Sequence, residues 1–308
     1  QALPAFPPLG EITVGALRRV LDRWSGKKTP GSDGWRPAEL KDWSDGLLRE
    51  LVCFYARVEE GGRWPQGVDV SLVAMLTKGG TADPADRRPI VLLSAVYRLW
   101  AVLRSGEVRR WLESCGVLAA KGAAAAADAQ AYDLAFALDE ARRLGKVIAG
   151  LAVDWSKCYD RLPLVLLAFL AKTAGVPDAI AGPMLSAYGQ ARRVAVDGMV
   201  GELRFPTCGL APGCPGATDW LALLMWPWLC EVRRTGEDTE ARAYVDDLTG
   251  WNAGEECVGA VGAMVECTEA FSGDTCLKVN DAKSRRFATT PQARCDLRES
   301  GGPPVTDC

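Results

Sequence analysis

The sequence predicts an α+β fold, and three observations carry that prediction. Ala243-Tyr244-Val245-Asp246-Asp247-Leu248-Thr249 sets an acid pair between strand-forming residues, which reads as a β-hairpin with both acids at its tip. Well upstream, Leu151-Ala152-Val153-Asp154 is an apolar strand that ends in a third acid. Between such runs lie segments with apolar residues at helical spacing, such as Glu11 to Trp24 with Ile12, Leu17, Val20 and Leu21.

Taken in order, residues 1–10 are Pro-rich and extended, and the first helix stops at Ser25-Gly26. Lys27-Lys28-Thr29-Pro30-Gly31-Ser32-Asp33-Gly34 is a Gly/Pro loop with two cations. A helix from Ala38 to Val58 follows, interrupted near Ser44-Asp45-Gly46, and Val70 to Leu76 reads as a strand ending in Lys78-Gly79-Gly80. Asp86-Arg87-Arg88-Pro89-Ile90-Val91-Leu92-Leu93 precedes a helix from Ser94 to Leu112. Residues 119–131 are nearly all Ala and favour helix without offering chemistry. Asp128 to Arg143 is a helix capped by Gly145, and Lys146 to Val153 is the strand that delivers Asp154. Pro163 opens a helix to Thr173, with Asp160 read as its polar cap, and Asp178 to Gln190 is another helix. A hairpin of 192–196 and 202–205 turns at Asp197-Gly198. The glycine-rich Cys208-Gly209-Leu210-Ala211-Pro212-Gly213-Cys214-Pro215-Gly216-Ala217 leads into a helix from Thr218 to Val232. After the acid hairpin come a helix from Glu255 to Phe271 capped by Gly273, a loop containing Leu277-Lys278-Val279-Asn280-Asp281-Ala282-Lys283-Ser284, and a closing strand from Arg285 to Thr289. The remaining residues 291–308 form a Gly/Pro-rich tail.

Carboxylates this close repel one another and stay ionised only when something cationic neutralises them. An acid ending one strand and an acid pair on a hairpin are one way to assemble a two-metal phosphoryl-transfer site. With the boxes Lys27 to Gly34, Lys78 to Trp100, Asp154 to Asp160, Gly209 to Ala217, Tyr244 to Asp247 and Leu277 to Ser284, the chain resembles the reverse transcriptases of the non-LTR retrotransposon and group II intron type. The YVDD box and the D-x4-Y-D box carry most of that resemblance.

The resemblance implies a right-hand polymerase palm, an antiparallel sheet with helices on one face, together with fingers. It divides the chain into fingers at 1–93 with 166–212 returning to them, a palm at 94–165 and 213–290, and a tail at 291–308 that stops before the primer grip and thumb. It implies template-directed DNA synthesis from dNTPs on an RNA template and DNA primer. Asp154, Asp246 and Asp247 become the catalytic acids, holding two Mg2+ ions (or Mn2+) with the Trp155 backbone. Lys78 and Arg88 hold the triphosphate, where the planar guanidinium fork suits phosphate oxygens. Tyr159 falls at the ring that blocks a ribose 2′-hydroxyl, Gly213 lets the backbone approach the nucleotide, and Lys283 donates a proton to pyrophosphate or anchors the palm. Pro212 stands where the family has Gln and Ala217 where it has Ser, departures that bear on nucleotide handling. A decayed segment that folds and binds RNA without polymerising therefore stays open, and an RNA-dependent RNA polymerase ranks lower because such enzymes place Asp at the Tyr159 position.

Composition narrows the alternatives. Hydrophobic residues at 48% and charged residues at 24% exclude wholesale disorder. The net charge of −3 argues against an all-over basic surface. The absence of histidine removes His triads, His general bases and Cys/His zinc fingers. Cysteines without a C-x2-C pair, and no secretory leader, point to reduced buried thiols in an intracellular protein of the nucleus or cytoplasm. The run Trp220 to Cys230 is too short to span a bilayer, so no membrane role is expected. Gln1 at the start and Cys308 at the end read as a fragment of a longer polypeptide.

Overall fold

The computed structural model describes residues 3–306 except 28, 67, 69, 78–86, 119–126 and 197–198, and of the helix beginning at Ala127 no side chain before Ala131. In chain order its elements are α1 (Val14–Arg23), α2 (Pro37–Lys41), α3 (Asp45–Gly61), β1 (Val70–Leu76), β2 (Arg88–Leu92) and α4 (Ala95–Ser114). Then come α5 (Ala127–Leu144), β3 (Ile148–Val153), α6 (Cys158–Arg161), α7 (Leu164–Ala174), α8 (Asp178–Tyr188), β4 (Ala191–Val196) and β5 (Met199–Arg204). The chain closes with α9 (Ala217–Val232), β6 (Thr239–Tyr244), β7 (Asp247–Ala253), α10 (Cys257–Thr275), β8 (Arg285–Ala288) and α11 (Pro291–Glu299). The fold is α+β. Among the described residues no helix is long and apolar enough to cross a membrane.

Two compact units form. One comprises Ala2–Trp111 with Leu162–Trp220, the other Leu112–Arg161 with Leu221–Cys308. The first unit holds the sheet β2-β1-β4-β5, in which β1 and β4 run parallel and the other pairs antiparallel. Hydroxyl caps fix its helix starts: Thr13 accepts from the Ala16 N–H and Ser44 from the Leu47 N–H. Ser44 is also why one apolar stretch becomes two helices, α2 and α3. Trp64, Tyr97 and Trp100 pack edge to face near Tyr55 in the core. Buried Arg104 is matched by Glu59 and Glu107, both at 2.7 Å, so its charge is not left unpaired.

The second unit is built on the antiparallel sheet β6-β7-β3-β8. Its central strand β3 is buried along most of its length because α10 packs on one of its faces and α5 on part of the other. Side chains alternate between the two faces. Leu151 and Val153 lie on the face toward α10, where Met264 comes up to Gly250. Ile148, Gly150 and Ala152 lie on the other face. At one end of that face α5 packs Ala141, Leu134, Ala137 and Leu138 onto Ile148, Trp251 and Phe287.

Several boundaries differ from the sequence reading. Gly273 does not end α10, which runs to Thr275 and stops at Cys276 in a left-handed conformation, φ 59°. Asp160 caps no long helix: it belongs to the short α6, and Pro163 is the N-cap of α7. The tail contains α11, opened by Thr290 accepting from the Ala293 N–H, with Pro291 in the first turn. The hairpin turn at Asp197-Gly198 lies outside the described residues, although β4 and β5 do pair antiparallel. The described cysteines include free thiols of every exposure. Cys158, Cys214 and Cys257 are buried, whereas Cys53, Cys208, Cys276 and Cys295 are exposed, so burial of the thiols is only partial.

Candidate functional site

The acid hairpin is tighter than the sequence suggested. Tyr244 pairs with Asp247, so Val245 and Asp246 alone form the turn and Asp247 is already the first residue of β7. Val245 has φ 60°. A two-residue hairpin whose first loop residue has positive φ matches the twist of its strands, but a β-branched residue there is strained. Strain of this kind clusters where surrounding structure fixes a functional backbone.

Register brings the third acid alongside. Val153 pairs with Leu248 at the end of β3, and one step further Asp154 falls opposite Asp247 on the same face of the sheet. That face is the one opposite α10, beyond the part that α5 covers. Asp154 and Asp247 thus share one end of one face, with Asp246 beside them in the β6–β7 turn.

The charges act on each other. Burial, then Asp247 and Asp154, pushes the Asp246 carboxyl above its usual range, with Lys283 opposing the shift. Burial and Asp154 raise Asp247 in the same way, again against Lys283. Lys283 Nζ stands 3.8 Å from Asp154 Oδ1. The Cys158 thiol is pushed up to about 12, first by burial and then by Asp246 and Asp154, which keeps it protonated and unreactive.

The loop before β8 grips Asp154. Asn280 Nδ2 donates to Asp154 Oδ2 at 2.7 Å, and the Asn280 N–H donates to the Asp154 carbonyl at 2.8 Å. The Asp154 N–H donates to Ser284 Oγ at 3.1 Å, and the Ser156 N–H to the Lys278 carbonyl at 2.7 Å. Trp155 therefore faces Val279 across an antiparallel bridge, with its own carbonyl turned to the β7 side. The buried Trp155 ring packs on Phe271 at 5.7 Å. Tyr159 is half-buried in α6, directly after this turn.

The structure brings together Asp154, Asp246, Asp247 and Lys283. Arg88 and Gly213 belong to the other unit, where the Val91 N–H donates to the Pro212 carbonyl at 2.9 Å and so ties β2 to the glycine-rich loop. Gly213 has φ 103°, and a Cβ on it would come 3.2 Å from the Val91 carbonyl, which favours glycine there. Cys214 anchors the same loop between the hydroxyls of Tyr97 (3.1 Å) and Tyr188 (3.4 Å). Lys78 lies outside the described residues. Asn280 and Ser284 were read only as members of a motif; their contacts with Asp154 come from the long-range pairing of β3 and β8, which no local pattern encodes.

Among the described residues, no three His, Cys, Asp or Glu side chains converge as a ready-made metal cage. Comparison with protein-family models and with curated proteins found no match.

Proposed function

We propose that this chain is a reverse-transcriptase polymerase segment that adds deoxynucleotides to a primer 3′-hydroxyl on an RNA template. The observation that carries the reading is the set of three neighbouring carboxylates, Asp154 and Asp247 opposite each other on adjacent strands and Asp246 in the turn beside them, with Lys283 as a nearby counter-charge. Their donor chemistry fits Mg2+, a hard cation that takes carboxylate oxygens and keeps several waters. Asp154, Asp246 and Asp247, with the Trp155 carbonyl, are the residues that would hold it. Bound there, Mg2+ supplies activation of the 3′-hydroxyl and neutralises charge at the attacked phosphorus. The chain's own part is positional: the β3–β7 register sets Asp154 opposite Asp247, and the strained turn holds Asp246 beside them. In this reading Lys78 and Arg88 hold the nucleotide phosphates, Gly213 lets the backbone approach the nucleotide, and Tyr159 excludes a 2′-hydroxyl.

A non-polymerising RNA-binding segment is the second reading, favoured by Pro212 and Ala217 in the glycine-rich loop. Primer extension on poly(rA)·oligo(dT) with dTTP and Mg2+ separates the two. The polymerase reading expects extension that Asp154→Asn or Asp246→Asn lowers at least ~100-fold, as loss of several kcal/mol of charge stabilisation requires. Tyr159→Ala should relax discrimination against ribonucleotides. Salt-sensitive binding without extension would favour the second reading, and neither binding nor extension would remove both.

A further inference from the structure

The two oxygens of Asp154 have different surroundings. Oδ2 accepts from the Asn280 carboxamide at 2.7 Å, while Oδ1 faces Lys283 Nζ at the looser distance of 3.8 Å. Asn280 is also the hub of its own loop. Its carbonyl accepts from the Lys283 and Ser284 N–H groups (2.9 and 2.8 Å), and that turn returns both side chains to Asp154. Ser284 is fully buried, so the return is fixed by packing as well as by hydrogen bonds. One residue therefore holds the Asp154 main chain, orients its side chain, and aims the neighbouring ammonium.

We propose that Asn280 is a positioning residue that locks the Asp154 carboxylate by occupying Oδ2, leaving Oδ1, loosely paired with Lys283, as the oxygen a divalent cation takes by displacing the ammonium. A carboxylate held by one amide donor binds through its other oxygen, the single-oxygen mode that Mg2+ sites favour over bidentate contact. Hydrogen-bond partners of ligating carboxylates fix the ligand's direction, and their loss typically weakens metal binding by about 10–100-fold. The loop backbone does not need the carboxamide: the Asn280 N–H to Asp154 carbonyl bond survives truncation of the side chain. The inference rests on the cation site proposed above.

The test is Mn2+ binding to the 308-residue chain without nucleic acid, read from the electron paramagnetic resonance signal of free Mn2+. Wild type, Asn280→Ala and Asn280→Gln are titrated below their melting temperatures, with far-ultraviolet circular dichroism as the folding control. Asn280→Ala should bind about 10–100-fold more weakly with an unchanged fold. Asn280→Gln, whose carboxamide sits on a longer arm, should fall between the two. If the alanine variant does not fold, the glutamine variant carries the test by binding at least several-fold more weakly than wild type. A folded variant that binds Mn2+ as tightly as wild type overturns the positioning role and leaves the cation site standing. Wild type that binds no Mn2+ overturns both.

Discussion

β3 and β5 are both six-residue strands, and they sit at opposite extremes of their sheets. β3 is central, hydrogen-bonded to β7 and β8, and buried at five of six positions. β5 is last in its sheet and exposed at all six, including Met199, Val200 and Leu203. The acid Asp154 follows the central strand, where two neighbours and a covered face leave the backbone one position. Glu202 rides on the exposed edge strand. A carboxylate that must be placed to within a fraction of an ångström needs the first setting, and a surface that only needs to be soluble tolerates the second.

The largest effect that could break this comparison is steric. A Cβ on Gly150 would meet the Phe287 ring and stand 2.6 Å from the Gly250 carbonyl, whereas one on Gly201 would be 3.5 Å from the Val194 carbonyl. Gly150→Ala should therefore lower unfolding stability by about 1–3 kcal/mol, the usual cost of overpacking. Gly201→Ala should change it by no more than about 0.5 kcal/mol. Urea denaturation of the two variants measures both, and equal losses would erase the distinction between the strands.

The next effect is electrostatic. Asp246 and Asp247 have carboxyls raised above their usual range in the folded state. Such groups hold their protons more tightly folded than unfolded. Their contribution to stability is complete below the ordinary carboxylate pKa and is lost as pH rises through the folded value. Asp246→Asn and Asp247→Asn should thus raise the Tm by a few degrees at pH 7 without divalent cations, and the gain should vanish near pH 3. Glu202→Gln on the exposed β5 should change stability by no more than about 0.5 kcal/mol at pH 7. A gain that persists undiminished at pH 3 would mean that repulsion is not its source.

The elements were legible wherever local chemistry decides them. The strand at Val70 to Leu76, the helix broken at Ser44 and the Gly145 cap all follow from periodicity, a hydroxyl cap and a left-handed glycine. α11 was missed although Thr290 and Pro291 announce it, because the neighbouring Gly301-Gly302-Pro303-Pro304 dominates the composition of that tail. Placing both acids at the hairpin tip failed by one residue, since turn length depends on backbone twist and Val245 gives no sign of a positive φ. The acids as candidates were visible in sequence. The grip on Asp154 was not, because it depends on β8 pairing with β3 across more than a hundred residues.

The smallest effect concerns the free edge. Val200 pairs with Ala195 and Leu203 with Arg193, and among the described residues the outer side of β5 has no strand beside it in the sheet. Exposed edges with apolar side chains template pairing with other chains, and a lysine there blocks it. Val200→Lys and Leu203→Lys remove little buried surface, so each should shift unfolding stability by no more than about 0.5 kcal/mol. Their effect should appear instead in concentration-dependent light scattering, with less self-association than wild type at equal concentration. Lysine at Leu151, buried in β3, should unfold the chain under the same conditions, because an unpaired charge would lie inside the sheet packing. If lysine at Val200 or Leu203 costs as much as lysine at Leu151, β5 is held as firmly as β3, and the contrast between a positioned strand and a tolerant one fails.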